Sequence, residues 1–343
     1  MLIIDWHKYL KNNLAKLYAS SENFVIDEAQ QYRNKEVMNI SIGRQKMRLV
    51  YYLKPDAGHF KAYVPPSGIP SIPRASQPIW IDKSNQVVIL KWISGRKLFS
   101  FDDCDVDSHI TDATWSSVGE TLARVHEYTY NRFSHVEMEP SFYKSLMCRY
   151  FFGAIDNFRD FVLYSFIEPV NNSLQNAVLR SLLSIQDAFT IQQKCEEVVI
   201  WVQEHDTLIK ELSLFSVLHG DTHPENIIIR DDLSATLIDW EWWHIGDPAS
   251  EIAFLFEQMD QAGVSAYAVL LKSYFKHRSP CSLGNTASFI KRINLYKRII
   301  LGKFTAMVAN GLCSPDLQSV NQPLFKHLYN RLKLDDWREI KCL

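Results

Sequence analysis

The sequence predicts an α+β fold with strands and helices segregated along the chain. Three observations predict it. Short β-rich runs punctuated by turn residues fill most of residues 20–93. Helical periodicity dominates from residue 111 onward. Within that helical part, two β-branched runs, 227–230 and 235–238, flank a polar turn at 231–234, which reads as a hairpin.

Residues 5–19 form an amphipathic pattern, with Trp6, Tyr9, Leu10, Leu14, Leu17 and Tyr18 at helical spacing and Asp5 as a cap. Strand-like runs follow at 24–26, 37–42 and 49–53, and Gly43, Arg44 and Gln45 turn the chain between the last two. The segment 29–34 reads as the loop between the first two, and it contains no glycine. Prolines and glycines between residues 55 and 70 forbid a long helix there. A further strand pair is expected at 78–81 and 87–92, with a turn at 83–86. Asp103, Asp105 and Asp107 alternate as in a calcium loop, but Ser108 and Thr114 stand where such a loop needs Gly and Glu. Thr111 or Asp112 caps a helix to about residue 128, its apolar face made by Trp115, Val118, Leu122 and Val125. Helices are expected at 142–165, 174–189 and 194–214, then after the hairpin at 248–261, 266–275, 286–310 and 322–332.

The 343 residues are 47% hydrophobic, enough for one large or two modest cores. The net charge of −2 provides no global basic field, so no nucleic-acid partner is expected. The six cysteines stand singly, without a CxxC pair, as in a reduced, cytoplasmic protein. No apolar run reaches the roughly 18 residues of a membrane span, and charge comes too early at the N-terminus for a signal peptide. Neither a membrane partner nor secretion is expected, and the sequence is silent on oligomeric state.

Counting inward from the hairpin turn sets 230 opposite 235, 228 opposite 237 and 227 opposite 238, so Asn226 should meet Asp239. Antiparallel neighbours have Cβ atoms about 4.5–5.5 Å apart, and the amide and carboxylate would converge. Asp221 lies five residues upstream of Asn226. Phosphoryl transfer asks for such a set: one carboxylate takes the proton of an attacking hydroxyl, while an amide oxygen and a second carboxylate hold Mg²⁺ on nucleotide phosphates. Zinc hydrolysis is the rival, since His219, Asp221 and His223 alternate as ligands could. Pro224 follows directly, however, and no second His/Cys cluster completes a shell. Asp247 precedes Pro248 and an apolar helix, so it reads as an N-cap with Pro at N1. His126 and His219 read as buried packing or orienting residues.

His219-Gly220-Asp221, Asn226, Ile238-Asp239-Trp240-Glu241 and Gly246-Asp247-Pro248-Ala249 together resemble the aminoglycoside phosphotransferase and choline kinase group, small-molecule relatives of the protein kinases. The resemblance implies a bilobal, protein-kinase-like fold. A small antiparallel-sheet lobe would span 1–93 and a larger, mostly helical lobe 94–343. It implies Asp221 as catalytic base, Asn226 and Asp239 as Mg²⁺ ligands, and ATP or GTP as phosphate donor. It implies a phosphate-pairing lysine at Lys54, with Lys46 and Lys61 as alternatives, and a hinge whose backbone at Trp92 and Ile93 binds the base. The acceptor would be the hydroxyl of a small molecule such as an aminoglycoside-like antibiotic, choline, thiamine or a sugar. Glu241 would face the cleft or form an ion pair. The chain departs from the protein-kinase pattern twice. There is no glutamate between Glu36 and Glu120 to pair with the lysine, and no glycine-rich loop. A second reading is therefore a non-catalytic, kinase-like nucleotide-binding module. A protein-phosphorylating enzyme ranks below both, for want of the glycine-rich loop and of DFG-like and APE-like segments.

Overall fold

The structure, a computed structural model, describes residues 5–14, 24–31, 35–42, 44–53, 78–82, 84–99, 110–131, 166–205, 207–210, 214–240, 243–261, 265–279, 285–311, 318–336 and 339–340. The described residues open with helix α1 (Trp6–Leu14) and strands β1 (Phe24–Gln31), β2 (Lys35–Ile42), β3 (Gln45–Tyr52), β4 (Pro78–Asp82) and β5 (Val87–Lys91). These strands form one antiparallel sheet in the order β1-β2-β3-β5-β4. Alternation gives the sheet two buried faces. Met38, Ile40, Ile42, Met47, Leu49, Val87 and Ile89 point to one, where Leu10 of α1 closes the core. Trp6 packs edge-on against Tyr51 of the central strand, and the Tyr9 hydroxyl donates to Asp82 of the edge strand β4 at 2.6 Å, which pins α1 across the sheet. Val50, Tyr52, Val88 and Leu90 occupy the opposite face.

Strand β6 (Arg96–Lys97) does not join that sheet. It pairs with β9 (Ile227–Ile229), which pairs with β10 (Ala235–Leu237). A third sheet sets β8 (Leu214–Leu218) between β7 (Thr129–Asn131) and β11 (His244–Gly246). Around these stand helices α2 (Asp112–His126), α3 (Glu168–Leu179), α4 (Ile185–Glu204), the single turn α5 (Thr207–Lys210), α6 (Pro248–Gln261), α7 (Tyr267–His277), α8 (Thr286–Gly311) and α9 (Gln318–Lys333). One apolar core runs from Leu98 to Ile340 and takes in α2, the hairpin strands and most of these helices. α2 guards the outer edge of β10: Ser117 Oγ accepts from the Ala235 amide at 2.8 Å, and Thr121 Oγ1 donates to the Ala235 carbonyl at 3.1 Å.

The fold is the expected α+β arrangement, with three corrections of detail. Residues 29–31, expected as loop, continue β1 and pair with residues 36–38; a bulge between Ile26 and Glu28 resets the register. The helices expected over 174–189 and 194–214 break elsewhere: α3 ends at Leu179, α4 runs unbroken from Ile185 to Glu204, and Leu214 opens strand β8. α3 ends as Ser181 turns left-handed at φ 59°, and Ser184 caps α4 by accepting from the Asp187 amide at 3.0 Å. The hairpin register is one residue off the expected count, as described below. The helix expected at 142–165 lies outside the described residues. No helix among the described residues is long and apolar enough to cross a membrane.

Candidate active site

β8 delivers the chain to His219, and a sharp turn follows. Gly220 has φ 83°, a conformation that glycine adopts without strain. Two backbone amides of this turn reach the same buried carboxylate: His219 N donates to Glu251 Oε2 at 3.1 Å, and Gly220 N to Glu251 Oε1 at 2.6 Å. Glu251 sits in the first turn of α6, so this helix holds the turn from below. His126 of α2 meets Glu251 Oε2 through Nε2 at 2.7 Å. Its Nδ1 lies 2.8 Å from the Tyr274 hydroxyl, which accepts from Arg278 at 2.6 Å; Arg278 also donates to Ser216 Oγ at 2.9 Å. The network fixes the tautomer: Tyr274 O–H donates to Nδ1, and Nε2–H donates to Glu251. Burial would raise the Glu251 pKa, but the hydrogen bond from His126, with His219 and the Gly220 amide, holds it below the usual carboxylate range.

Beyond the turn, Asp221 and Asn226 come together. Asn226 Nδ2 donates to the Asp221 backbone carbonyl at 2.9 Å and to its carboxylate at 3.0 Å. A turn of 3₁₀ helix, Pro224–Asn226, makes this contact by folding the chain back. Burial raises the Asp221 pKa, and the neighbouring Asp239 charge adds to it; His223, His219 and the Asn226 hydrogen bond oppose them. His223 Nε2 is 3.6 Å from Asp221 Oδ2.

The hairpin brings the second acid. Ala235 faces Ile229, Thr236 faces Ile228 and Leu237 faces Ile227. The loop is closed at Arg230 and Ser234, with Leu233 left-handed at φ 61°. That is a three-residue loop, a turn plus a left-handed residue, rather than the expected four. The one-residue slip puts Ile238, not Asp239, opposite Asn226: the Ile238 amide donates to the Asn226 carbonyl at 2.9 Å. Asp239 comes next with φ 61°, a region that aspartate tolerates better than most residues. His219 ties the two segments, with Nε2 donating to the Ile238 carbonyl at 2.7 Å and Nδ1 accepting from the Asp221 amide at 3.3 Å. It also packs edge-on against Trp240.

Asp239 opens onto a cleft of about 240 Å³ between the five-stranded sheet and the hairpin. Val37, Val50 and Leu90 line one side, Ile228 and Ile238 the other, and Trp92 and Ile93 stand at the end of β5. Gly95 lets the chain pass the hairpin closely; a Cβ there would lie 2.4 Å from the Ile229 carbonyl oxygen. Lys35, at the start of β2, reaches across to Asp239, Nζ to Oδ2 at 3.4 Å.

Of the residues singled out from sequence, Asp221 and Asn226 thus touch each other, Asp239 lies near enough for its charge to act on Asp221, and Asp239, Trp92 and Ile93 line the cleft. Lys54, Lys61 and Glu241 lie outside the described residues. Lys46, the other alternative lysine, is an exposed residue of β3. Asp247 caps α6, accepting from the Ala249 amide at 3.0 Å, and is locked by Arg292 at 2.8 Å and Tyr296 at 3.2 Å. Lys35 and Glu251 escaped sequence reasoning. Lys35 is one of 37 basic residues with no local mark, and Glu251 looks like any acid in a helix's first turn. Among the described residues no group of three or more His, Cys, Asp or Glu could hold a metal, so the zinc alternative has no shell there. Asn226 and Asp239 offer hard oxygen donors, the type that suits Mg²⁺, which takes few protein ligands and keeps water and phosphate for the rest.

The fold is shared with solved kinases. A provisionally assigned aminoglycoside phosphotransferase of Ralstonia eutropha superposes with a TM-score of 0.61 at 13% identity, covering 97% of this chain and 96% of its own. Choline kinase LicA of Streptococcus pneumoniae gives 0.55 at 13% identity, with 96% and 99% covered. A spectinomycin phosphotransferase in complex with ADP and spectinomycin gives 0.57 at 12% identity, with 98% and 100% covered. No curated protein matches in sequence. The sequence model of the phosphotransferase enzyme family (APH) matches residues 66–283, well over half of the chain and all of the turn, hairpin and Asp239. This chain belongs to the APH phosphotransferase enzyme family.

Proposed function

We propose that this chain is a small-molecule kinase that moves the γ-phosphate of ATP or GTP to a hydroxyl, with Asp221 as the base. The observation that supports it is the contact of Asn226 with the Asp221 carboxylate, tied through His219 to Ile238, the residue before the cleft-lining Asp239. A raised pKa makes the Asp221 carboxylate a better proton acceptor than a solvated one. The Asn226 hydrogen bond fixes the direction in which it accepts. Asn226 and Asp239 would hold Mg²⁺, which when bound offsets the phosphate charge. The apolar walls, Val37 and Val50 against Ile228 and Ile238, fit the faces of a purine. The backbone at Trp92 and Ile93 would pair with its edge, and Lys54 would steady the phosphates. Residues 1–93 and 94–343 would be the two lobes, a division that fits the separate sheet cores before and after the β5–β6 connection.

The transition state is loose and its charge is spread over phosphate oxygens, so the protein's contribution is positioning and neutralisation. The acceptors named for the neighbours set the panel: choline, ethanolamine, spectinomycin and aminoglycosides. Thiamine and sugars complete it. Asp221→Ala is expected to abolish ADP or GDP release with the accepted member while leaving nucleotide affinity within about threefold. Transfer at near wild-type rate in Asp221→Ala would remove the base assignment. Nucleotide binding by the wild type without transfer to any acceptor would favour a non-catalytic module.

A further inference from the structure

We propose that Lys35 binds the terminal phosphates of the nucleotide, a charge contributed by strand β2. This rests on the kinase reading above and deepens it. Lys35 is the first residue of β2, and Val37, two residues on, lines the same cleft, so both side chains leave the sheet on its cleft face. From there Nζ reaches Asp239 Oδ2 at 3.4 Å.

Three physical points assign it to phosphate. First, the pair is poorly suited to a structural task. Its side chains are 20% and 38% exposed, and partly exposed ion pairs add little to stability. Second, among the described residues the cleft lining is basic: Lys35, Arg48, Lys91 and Lys97 against the one acid Asp239. Lys97 is engaged with Glu225 at 3.0 Å, and Arg48 stands over the Trp92 ring at 5.9 Å, toward the β5 end. Among the described cleft residues, Lys35 is a cation that reaches Asp239. Mg²⁺ held by Asp239 would bring a phosphate oxygen into the neighbourhood of this carboxylate. An ammonium 3.4 Å from that carboxylate stands on the same side of the cleft, and its flexible four-carbon stem lets it turn to such an oxygen.

Third, the β1–β2 connection, Tyr32, Arg33 and Asn34, contains no glycine. A backbone nest around phosphate depends on left-handed positions, which glycine supplies without strain. A lysine directly after this connection supplies by side-chain charge what a glycine-rich loop supplies by backbone amides.

The test compares nucleotides that differ only in phosphate number. Wild type, Lys35→Met, Lys35→Gln and Lys35→Arg are titrated calorimetrically with ATP and AMP in Mg²⁺, or with GTP and GMP if the wild type prefers guanine. The triphosphate affinity of Lys35→Met and Lys35→Gln is expected to fall about ten- to a hundredfold. Monophosphate affinity stays within twofold, and Lys35→Arg keeps most of the triphosphate affinity. Equal losses for both nucleotides, or no loss for either, overturn the inference. Lys35→Gln decides it if Lys35→Met does not fold. A wild type that binds neither nucleotide would instead defeat the kinase reading itself, whatever the variants do.

Discussion

Glu251 does its work by being ionised where no water reaches it. Two backbone amides, from His219 and Gly220, and the His126 ring donate to its two oxygens. Each amide would be an orphaned buried donor without it, a loss of about 1–3 kcal/mol apiece. The carboxylate therefore sets the height of the turn that carries Asp221, one residue beyond Gly220. Glu251→Gln keeps the volume but turns an amide NH₂ toward one of those donors. We expect it to cost about 2–4 kcal/mol of stability, read from urea midpoints. We also expect kcat to fall at least tenfold with nucleotide affinity unchanged, because small misplacements of a base are expensive. A kcat equal to wild type would mean that the turn holds its shape without this residue.

At the scale of elements, the meeting of the β5–β6 connection with the hairpin is a tight fit beside the cleft. Gly95 has φ 149°, and a Cβ there would sit 2.4 Å from the Ile229 carbonyl oxygen and 2.6 Å from Ile228 Cγ2. Backbone cannot retreat as a side-chain tip can. Gly95→Ala is expected to pull β6 from β9, destabilise the protein by about 1–3 kcal/mol and raise the KM for nucleotide, since Trp92 and Ile93 precede it in the cleft wall. A crystal structure or KM indistinguishable from wild type would contradict this. The same hairpin shows where sequence reasoning works and where it stops. The β-branched runs and the polar turn reveal the strands, because composition and alternation are local. The register depends on Leu233 adopting a left-handed conformation, which nothing about a leucine announces. Asp239 still reaches the cleft, because its own φ of 61° re-aims it after the slip. The α3–α4 break hides for the same reason, in the left-handed backbone of Ser181. Lys35 and Glu251 were illegible in another way: their partners lie 204 and 32 residues away, and only the fold supplies them.

Across the whole molecule, the Glu251 network links α2, α6, α7 and β8, so its protonation state is a property of global stability. Burial lowers the His126 pKa against the pull of Glu251, while Glu251 is held below the usual carboxylate range. The unfolded chain takes up a proton at this histidine below about pH 6.5, and at the glutamate below about pH 4.3. The folded chain resists both until lower pH. The unfolded state thus binds more protons in that window, and stability rises with pH and is lost as pH falls from about 6.5. One such site changes stability by at most about 1.4 kcal/mol per pH unit. The chain has eleven histidines, so the contribution must be isolated by difference. His126→Gln can still donate to Glu251 but cannot titrate. Between pH 7.5 and 5.5, the wild type is expected to lose about 1 kcal/mol more than His126→Gln, read from urea midpoints at constant ionic strength. Equal pH slopes in the two proteins would show that folding does not shift this histidine's titration. A steeper slope in the variant would reverse the sign of the argument and make His126 a charged partner of Glu251 in the native state.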